Sequence, residues 1–172
     1  MSLELGKKCL LQKNFKDAEK IFLDLSKENN TLEINYNLGV VNFELRNIKK
    51  SLDFFEKCKK INPKSLNTYL KIAHLEQSIG DIEKSLSTYL NVLDINTRDI
   101  RAYYGIFLLN PDFLKTNHFE VIKQINDNPT VNILEKFLSN FLLSKKEKNE
   151  RNFDKELAFL NNSHNLCFES KK

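Results

Sequence analysis

A 34-residue period restricts this 172-residue chain more than any other feature of its sequence. When Leu38-Gly39 is set on Ile72-Ala73, Ile48 meets Ile82, Ser51 meets Ser85, Phe55 meets Tyr89 and Cys58 meets Val92. Upstream, with one residue fewer, Leu5-Gly6 takes the same place and is followed by Phe15, Ala18, Phe22 and Leu25. Copies in phase at this spacing predict a stack of like units, each burying its apolar face on its neighbours.

Each copy reads as two helices. In the second, Ile34, Leu38, Val41 and Leu45 recur every three or four residues, and Ile48, Leu52, Phe55 and Cys58 do so again after Arg46-Asn47. Four Gly and three Pro are too few for a turn-rich all-β chain, so helix is the default. Asn14, Asn47 and Gly80-Asp81 fall between paired helices, where an Asn or Asp side chain can accept from the free N–H groups of the helix that follows. Asn62-Pro63 closes the second copy, because proline disfavours a helical residue before it. Gly6 with Ala18, Gly39 with Ser51, and Ala73 with Ser85 place a small residue on each helix of a pair, and this predicts a close crossing. Phe22, Phe55 and Tyr89 lie one turn further on and would fill the gap toward the next pair.

The stretch Asn37-Leu38-Gly39, Ser51, Phe55, Cys58 and Pro63, repeated as Ile72, Ala73, Gly80, Ser85, Tyr89 and Val92, resembles the tetratricopeptide repeat (TPR) family. Asn35 and Ser2 depart from it where an aromatic is usual, and Thr97 where a proline is usual. The resemblance implies an all-α, right-handed superhelical solenoid of antiparallel helix pairs, about five in number. The repeats would be 1–31, 32–65 and 66–99. A degenerate pair follows over 100–130, with one helix from Ile100 to Leu109, a break at Asn110-Pro111-Asp112, and a second from Phe113 or Asn117 to Asn126. A last pair or cap covers 131–172, where Leu143-Ser144, Phe153, Glu156, Leu160 and Ser163 keep the register of the second copy. Between its helices, Lys145 to Arg151 reads as a mixed-charge turn, a solvated helix end rather than a binding patch. Residues 143–164 are also similar to the last repeat before the catalytic domain of bacterial TPR-sulfotransferase proteins, which makes the repeat region of a larger enzyme the alternative reading.

Composition narrows the function. Hydrophobic residues at 41% and charged residues at 29% suit a folded chain, neither disordered nor membrane-spanning. The net charge of +4 is spread along the chain and favours a solvated surface over a nucleic-acid stripe. Cys9, Cys58 and Cys167 form no CxxC and are odd in number, so reduced thiols in a cytoplasmic protein without a secretory leader are expected. His74, His118 and His164 are scattered and enter no catalytic or metal-binding motif; the last two read as surface. The expectation is a non-enzyme without metal or cofactor, whose partner is another protein and neither nucleic acid nor membrane.

The family resemblance implies that first helices line a concave groove for a partner's peptide or helix. The residues placed there are Tyr36, Asn37 and Val40, then Asn67, Leu70, Lys71 and His74, then Arg101 and Tyr104. Asn37 and Asn67 could bond a peptide backbone, Tyr36 and Tyr104 offer flat apolar area, and Lys71, His74 and Arg101 favour an acidic feature. The carboxylate clamp with which some TPR domains hold acidic chaperone tails is not expected, since Glu4 stands where an Asn belongs and Asn67 where a Lys belongs.

Overall fold

The computed structural model describes residues 2–169, with side chains as far as Leu166; Cys167 lies outside the described side chains. Among the described residues the regular structure is all helical: α1 (Leu3–Leu11), α2 (Phe15–Glu28), α3 (Leu32–Glu44), α4 (Ile48–Ile61), α5 (Leu66–Ser78), α6 (Ile82–Ile95), α7 (Ile100–Leu109), α8 (Thr116–Asp127), α9 (Ile133–Asn149) and α10 (Phe153–Glu169). The chain divides into two compact units, with the boundary after Asn91 inside α6.

The same backbone device closes the turn between paired helices in both units. Lys13, Arg46, Gly80 and Arg151 have φ of 59, 62, 82 and 61°. The N–H of the next residue reaches back to a first-helix carbonyl: Asn14 to Cys9 at 2.8 Å, Asn47 to Asn42 at 2.8 Å, Asp81 to Glu76 at 2.9 Å and Asn152 to Glu147 at 2.8 Å. This is the Schellman closure, which satisfies carbonyls that a helix end leaves bare. It corrects the sequence reading of Asn14 and Asn47, whose side chains form no cap bond to the following helix. Their amides donate elsewhere, Asn14 Nδ2 to Asp17 at 2.6 Å and Asn47 Nδ2 back to Asn42 Oδ1 at 3.4 Å. Asn152 Nδ2 likewise donates to Glu147 at 2.9 Å, so the segment from Lys145 to Arg151 is mostly a helix end, with Glu147 only 8% exposed.

In the first unit the small pairs are buried as expected: Gly6 with Ala18, Gly39 with Ser51, and Ala73 with Ser85. Two properties of these crossings were not legible from size alone. Ser51 Oγ donates to the Gly39 carbonyl at 2.7 Å and Ser85 Oγ to the Ala73 carbonyl at 2.8 Å, so a hydroxyl ties second helix to first. Aromatic rings also lie against the glycines, where a Cβ would stand 2.6 Å from the Phe22 ring at Gly6 and 2.7 Å from the Phe55 ring at Gly39. Phe22 then packs with Ile34, Leu38 and Val41 of α3, and Phe55 with Ile72 and Leu75 of α5, which joins each pair to the next. Asn35, at the position where an aromatic is usual, is 1% exposed and donates to the Thr31 carbonyl at 2.8 Å and to Asn30 Oδ1 at 2.6 Å.

In the second unit α9 packs against α7, α8 and α10. The interruption after α7 forms a 3-10 turn, Pro111–Phe113, before α8. Tyr103 donates its hydroxyl to the Thr97 carbonyl at 3.0 Å, which holds the entry to α7 without a proline. The register of the last pair is independently visible: Ser163 Oγ donates to the Phe137 carbonyl at 3.3 Å, as Cys58 Sγ donates to the Leu32 carbonyl at 3.5 Å in copy two.

These crossings predict distinct mutational costs. Gly39→Ala drives a methyl into a fully buried ring and should cost about 1–3 kcal/mol, and Ser85→Leu at least as much because it also removes the hydroxyl bond. Gly80→Ala meets open space and should cost about 1 kcal/mol through its positive φ alone. Urea unfolding measures all three; parent-like stability of Ser85→Leu would contradict the close crossing.

Candidate functional site

The first-helix face of the first unit is built on the aromatic floor just described. Phe55, held over Gly39, meets the Tyr36 ring edge-on at a centroid distance of 5.4 Å. Tyr36, Val40 and Phe43 follow one another along α3 and pack on the cluster of Phe55, Ile72 and Leu75. A cleft of about 700 Å³ opens beside this stripe, with Leu3, Leu25, Ile34 and Tyr36 as apolar lining and Glu33 and Asn67 among its polar groups. Thus Tyr36 and Asn67 share a cleft. Leu70 is half-buried on α5, and Lys71 and His74 are exposed on the same helix.

Local contacts modify the chemistry expected of several side chains. Asn37 Nδ2 donates to the Glu33 carbonyl of its own helix at 2.9 Å, which occupies one of its two N–H donors and leaves the other with the carbonyl oxygen to offer a ligand. Lys7 lies 3.1 Å from Glu4 and 2.6 Å from Glu33, and these carboxylates, Glu33 foremost, hold its ammonium pKa above the usual value. Lys7 is therefore committed to two carboxylates of the protein itself. His74 stands with its ring centroid 5.5 Å from that of Phe43, and burial first, then the charge of Lys71, pushes its pKa down. Both effects disfavour the charged imidazolium.

Arg101 and Tyr104 lie in the second unit. Arg101 grips Asp99, Nε to Oδ1 at 3.0 Å and a terminal nitrogen to Oδ2 at 2.5 Å, while Asp99 also caps α7 by accepting from the Arg101 N–H at 3.0 Å. Sequence reasoning missed this pairing, although the Asp-x-Arg spacing at a helix start signals it. Tyr104 meets the edge of Phe141 at 5.6 Å. Of the three groups expected to attract an acidic partner, Lys71 keeps that role most directly.

His118 is not the surface residue expected. It is half-buried, parallel to Phe113 at 6.0 Å, and its Nδ1 accepts from the Lys115 N–H at 3.0 Å at the start of α8. The Cys58 thiol is buried, and desolvation pushes its pKa up to about 11. Among the described residues, no three His, Cys, Asp or Glu side chains are grouped to hold a metal ion, and no helix is long and apolar enough to cross a membrane.

Residues 32–65 match the family model of the tetratricopeptide repeat. No curated protein matches the chain by sequence. Among solved structures, MamA is 13% identical and superposes with a TM-score of 0.68 over 99% of each chain. A thermophilic TPR protein of Thermus thermophilus is 17% identical, with a TM-score of 0.61 over 94% of this chain and 87% of that one. YrrB, described as a TPR protein with an unusual peptide-binding site, is 12% identical, with a TM-score of 0.61 over 98% and 89%. The chain thus has the all-α helix-pair fold of TPR solenoids, and its second copy carries the family's sequence pattern.

Two outcomes follow from the titrating groups. Burial lowers the pKa of His74 and His118 below 6.5, so an unfolded chain binds protons first as pH falls. Their contribution to stability is present above pH 6.5 and lost as acid reaches the folded values, and protonation of His118 also removes the Lys115 acceptor. Thermal melts across this range should show the decline, and His118→Gln should reduce it. Cys58 should resist iodoacetamide in the folded chain and react once urea unfolds it, as read by peptide mass mapping; native-state alkylation at a free thiol's rate contradicts its burial.

Proposed function

We propose that this chain is a non-catalytic interaction scaffold whose first-helix face in the first unit takes an extended peptide or a helix of another protein. The cleft beside Tyr36 is the observation that carries the reading: an apolar floor with polar groups around it, large enough for one or two side chains of a partner. Tyr36 supplies rigid apolar area, Val40 and Leu70 continue it, and Asn37 and Asn67 offer amide groups to a peptide backbone. Lys71 gives the face a preference for an acidic residue in the segment, with His74 as a hydrogen-bonding neighbour whose positive charge is disfavoured. Arg101 and Tyr104 provide a further contact stretch on the second unit. A fold shared with YrrB, whose own description names a peptide-binding site, supports a partner of this class.

We place the scaffold in the cytoplasm and assign it no metal, cofactor, nucleic-acid or membrane partner. The alternative, a repeat region belonging to a larger enzyme, rests on the resemblance of residues 143–164 alone, and no catalytic residue is assigned on its account.

The test is selection of peptides from a random display library on the whole chain, followed by affinity measurement. Tyr36→Ala, verified as folded by circular dichroism, should weaken selected peptides by about tenfold or more, or roughly 1.4 kcal/mol. Lys71→Ala should leave melting unchanged and weaken acidic peptides about two- to fivefold, an effect that fades with salt. Selected peptides that bind both variants as they bind the parent would refute the assignment of this face.

A further inference from the structure

The joints between helix pairs follow one rule inside each unit. The second helix of a pair meets the first helix of the next, α2 on α3 and α4 on α5 in the first unit and α8 on α9 in the second. Register fixes which residues make the joint. From the second helix comes Phe22, or Phe55 with Ile48 and Leu52 beside it; on the following first helix Leu38 and Val41, or Ile72 and Leu75, receive them. These four receiving residues are at most 2% exposed.

Two helices carry the same positions uncovered. α10 is a second helix in the register of α4, and its Phe153, Leu157 and Leu160 stand where Ile48, Leu52 and Phe55 do. Leu52 is half-buried and Phe55 buried, whereas Leu157 is 59% exposed, Phe153 64%, and Leu160 only half-buried. α1 is a first helix, and its Leu5 and Lys8 stand where Leu38 and Val41 do. Leu38 and Val41 are buried, but Leu5 is 46% exposed and Lys8 is exposed as well. A repeat face left to solvent is ordinarily polar, and apolar residues standing on it in the register of a joint mark an interaction surface.

The register also says what fits each face: a first helix on α10 and a second helix on α1. This chain carries one of each, and their charges are complementary. Asp154 and Glu156, in the first turn of α10, flank the stripe of Phe153 and Leu157, and neither is ion-paired among the described residues; Lys155 of the same turn lines a cleft toward α8 and α9 instead. Lys8 lies in the last turn of α1 and is likewise unpaired among the described residues. Short loops make successive helices antiparallel, so a first helix seated on α10 as α5 sits on α4 brings its last turn to the first turn of α10. We propose that a second copy of this chain docks there, the α1 face of one copy on the α10 face of another, joining copies head to tail. The contact is heterologous, using a different surface on each partner. A symmetric contact of α10 on α10 would instead set second helix on second helix and leave Leu5 and Lys8 unused. The inference does not depend on the peptide-binding reading, since neither Leu5 nor α10 belongs to that face.

Equilibrium sedimentation of the full chain tests this. So small an apolar contact with one charge pair should give a dissociation constant on the order of 100 μM, so the average mass should rise above one copy between about 10 μM and about 1 mM. Leu5→Asp and Leu157→Asp alter exposed positions, and circular dichroism should show both folded. Each variant alone should stay monomeric, because its remaining face has no counterpart. Mixed in equal amounts they should form a dimer and go no further, since one keeps the α10 face and the other the α1 face. Lys8→Glu should weaken self-association roughly three- to fivefold, and adding Asp154→Lys to the same chain should recover most of the loss. A parent that stays monomeric at about 1 mM, an oligomer that survives Leu5→Asp, or a mixture that forms no heterodimer would each overturn the proposal.

Discussion

The first unit depends on one contact, an aromatic ring lying where a Cβ would otherwise be. Phe22 occupies that place over Gly6 and Phe55 over Gly39. Burial of each ring contributes on the order of 2–3 kcal/mol, and only a residue without a side chain lets it lie so low. The same ring faces forward into the next helix pair, so a contact within one pair also joins it to its neighbour. The serine hydroxyls at Ser51 and Ser85 supply direction to what packing alone would leave free to slide.

The interaction face follows from that contact. Phe55 settles where the Tyr36 ring stands, and the stripe Tyr36, Val40 and Phe43 continues onto the cluster of Ile72 and Leu75. Charge is then distributed unevenly over it. Glu4 and Glu33 both engage Lys7, partial desolvation and the charge of Lys71 lower the pKa of His74, and Lys71 remains as the outward cation of α5. In the second unit the corresponding care is visible at Asp99, which serves Arg101 and the start of α7 together.

Much of this was legible in the residues. The spacing of small and aromatic positions located the paired helices of copies one to three, and the offsets of Leu143-Ser144 and Ser163 carried the register to the last pair, where Ser163 repeats the hydrogen bond of Cys58. The roles of polar residues were harder to read. Asn14 and Asn47 suggested caps by type, yet the Schellman closure uses their backbone N–H and turns their side chains elsewhere. His118 and Glu147 suggested surface by polarity, yet His118 is half-buried beside Phe113 and Glu147 is buried, accepting from Asn152. Periodicity reports on apolar burial, whereas a polar group's fate depends on which partner comes within about 3 Å of it.

The sequence by itself determined the class of element, the pairing of helices and the period at which pairs repeat, because these depend on side-chain size and apolarity at fixed spacing, which a one-dimensional pattern records. Tertiary structure alone decided which side chains form ion pairs and that Ser51 and Ser85 bond across a crossing. Those outcomes turn on distances between groups far apart in the chain or on opposite faces of a turn, and no local spacing encodes them.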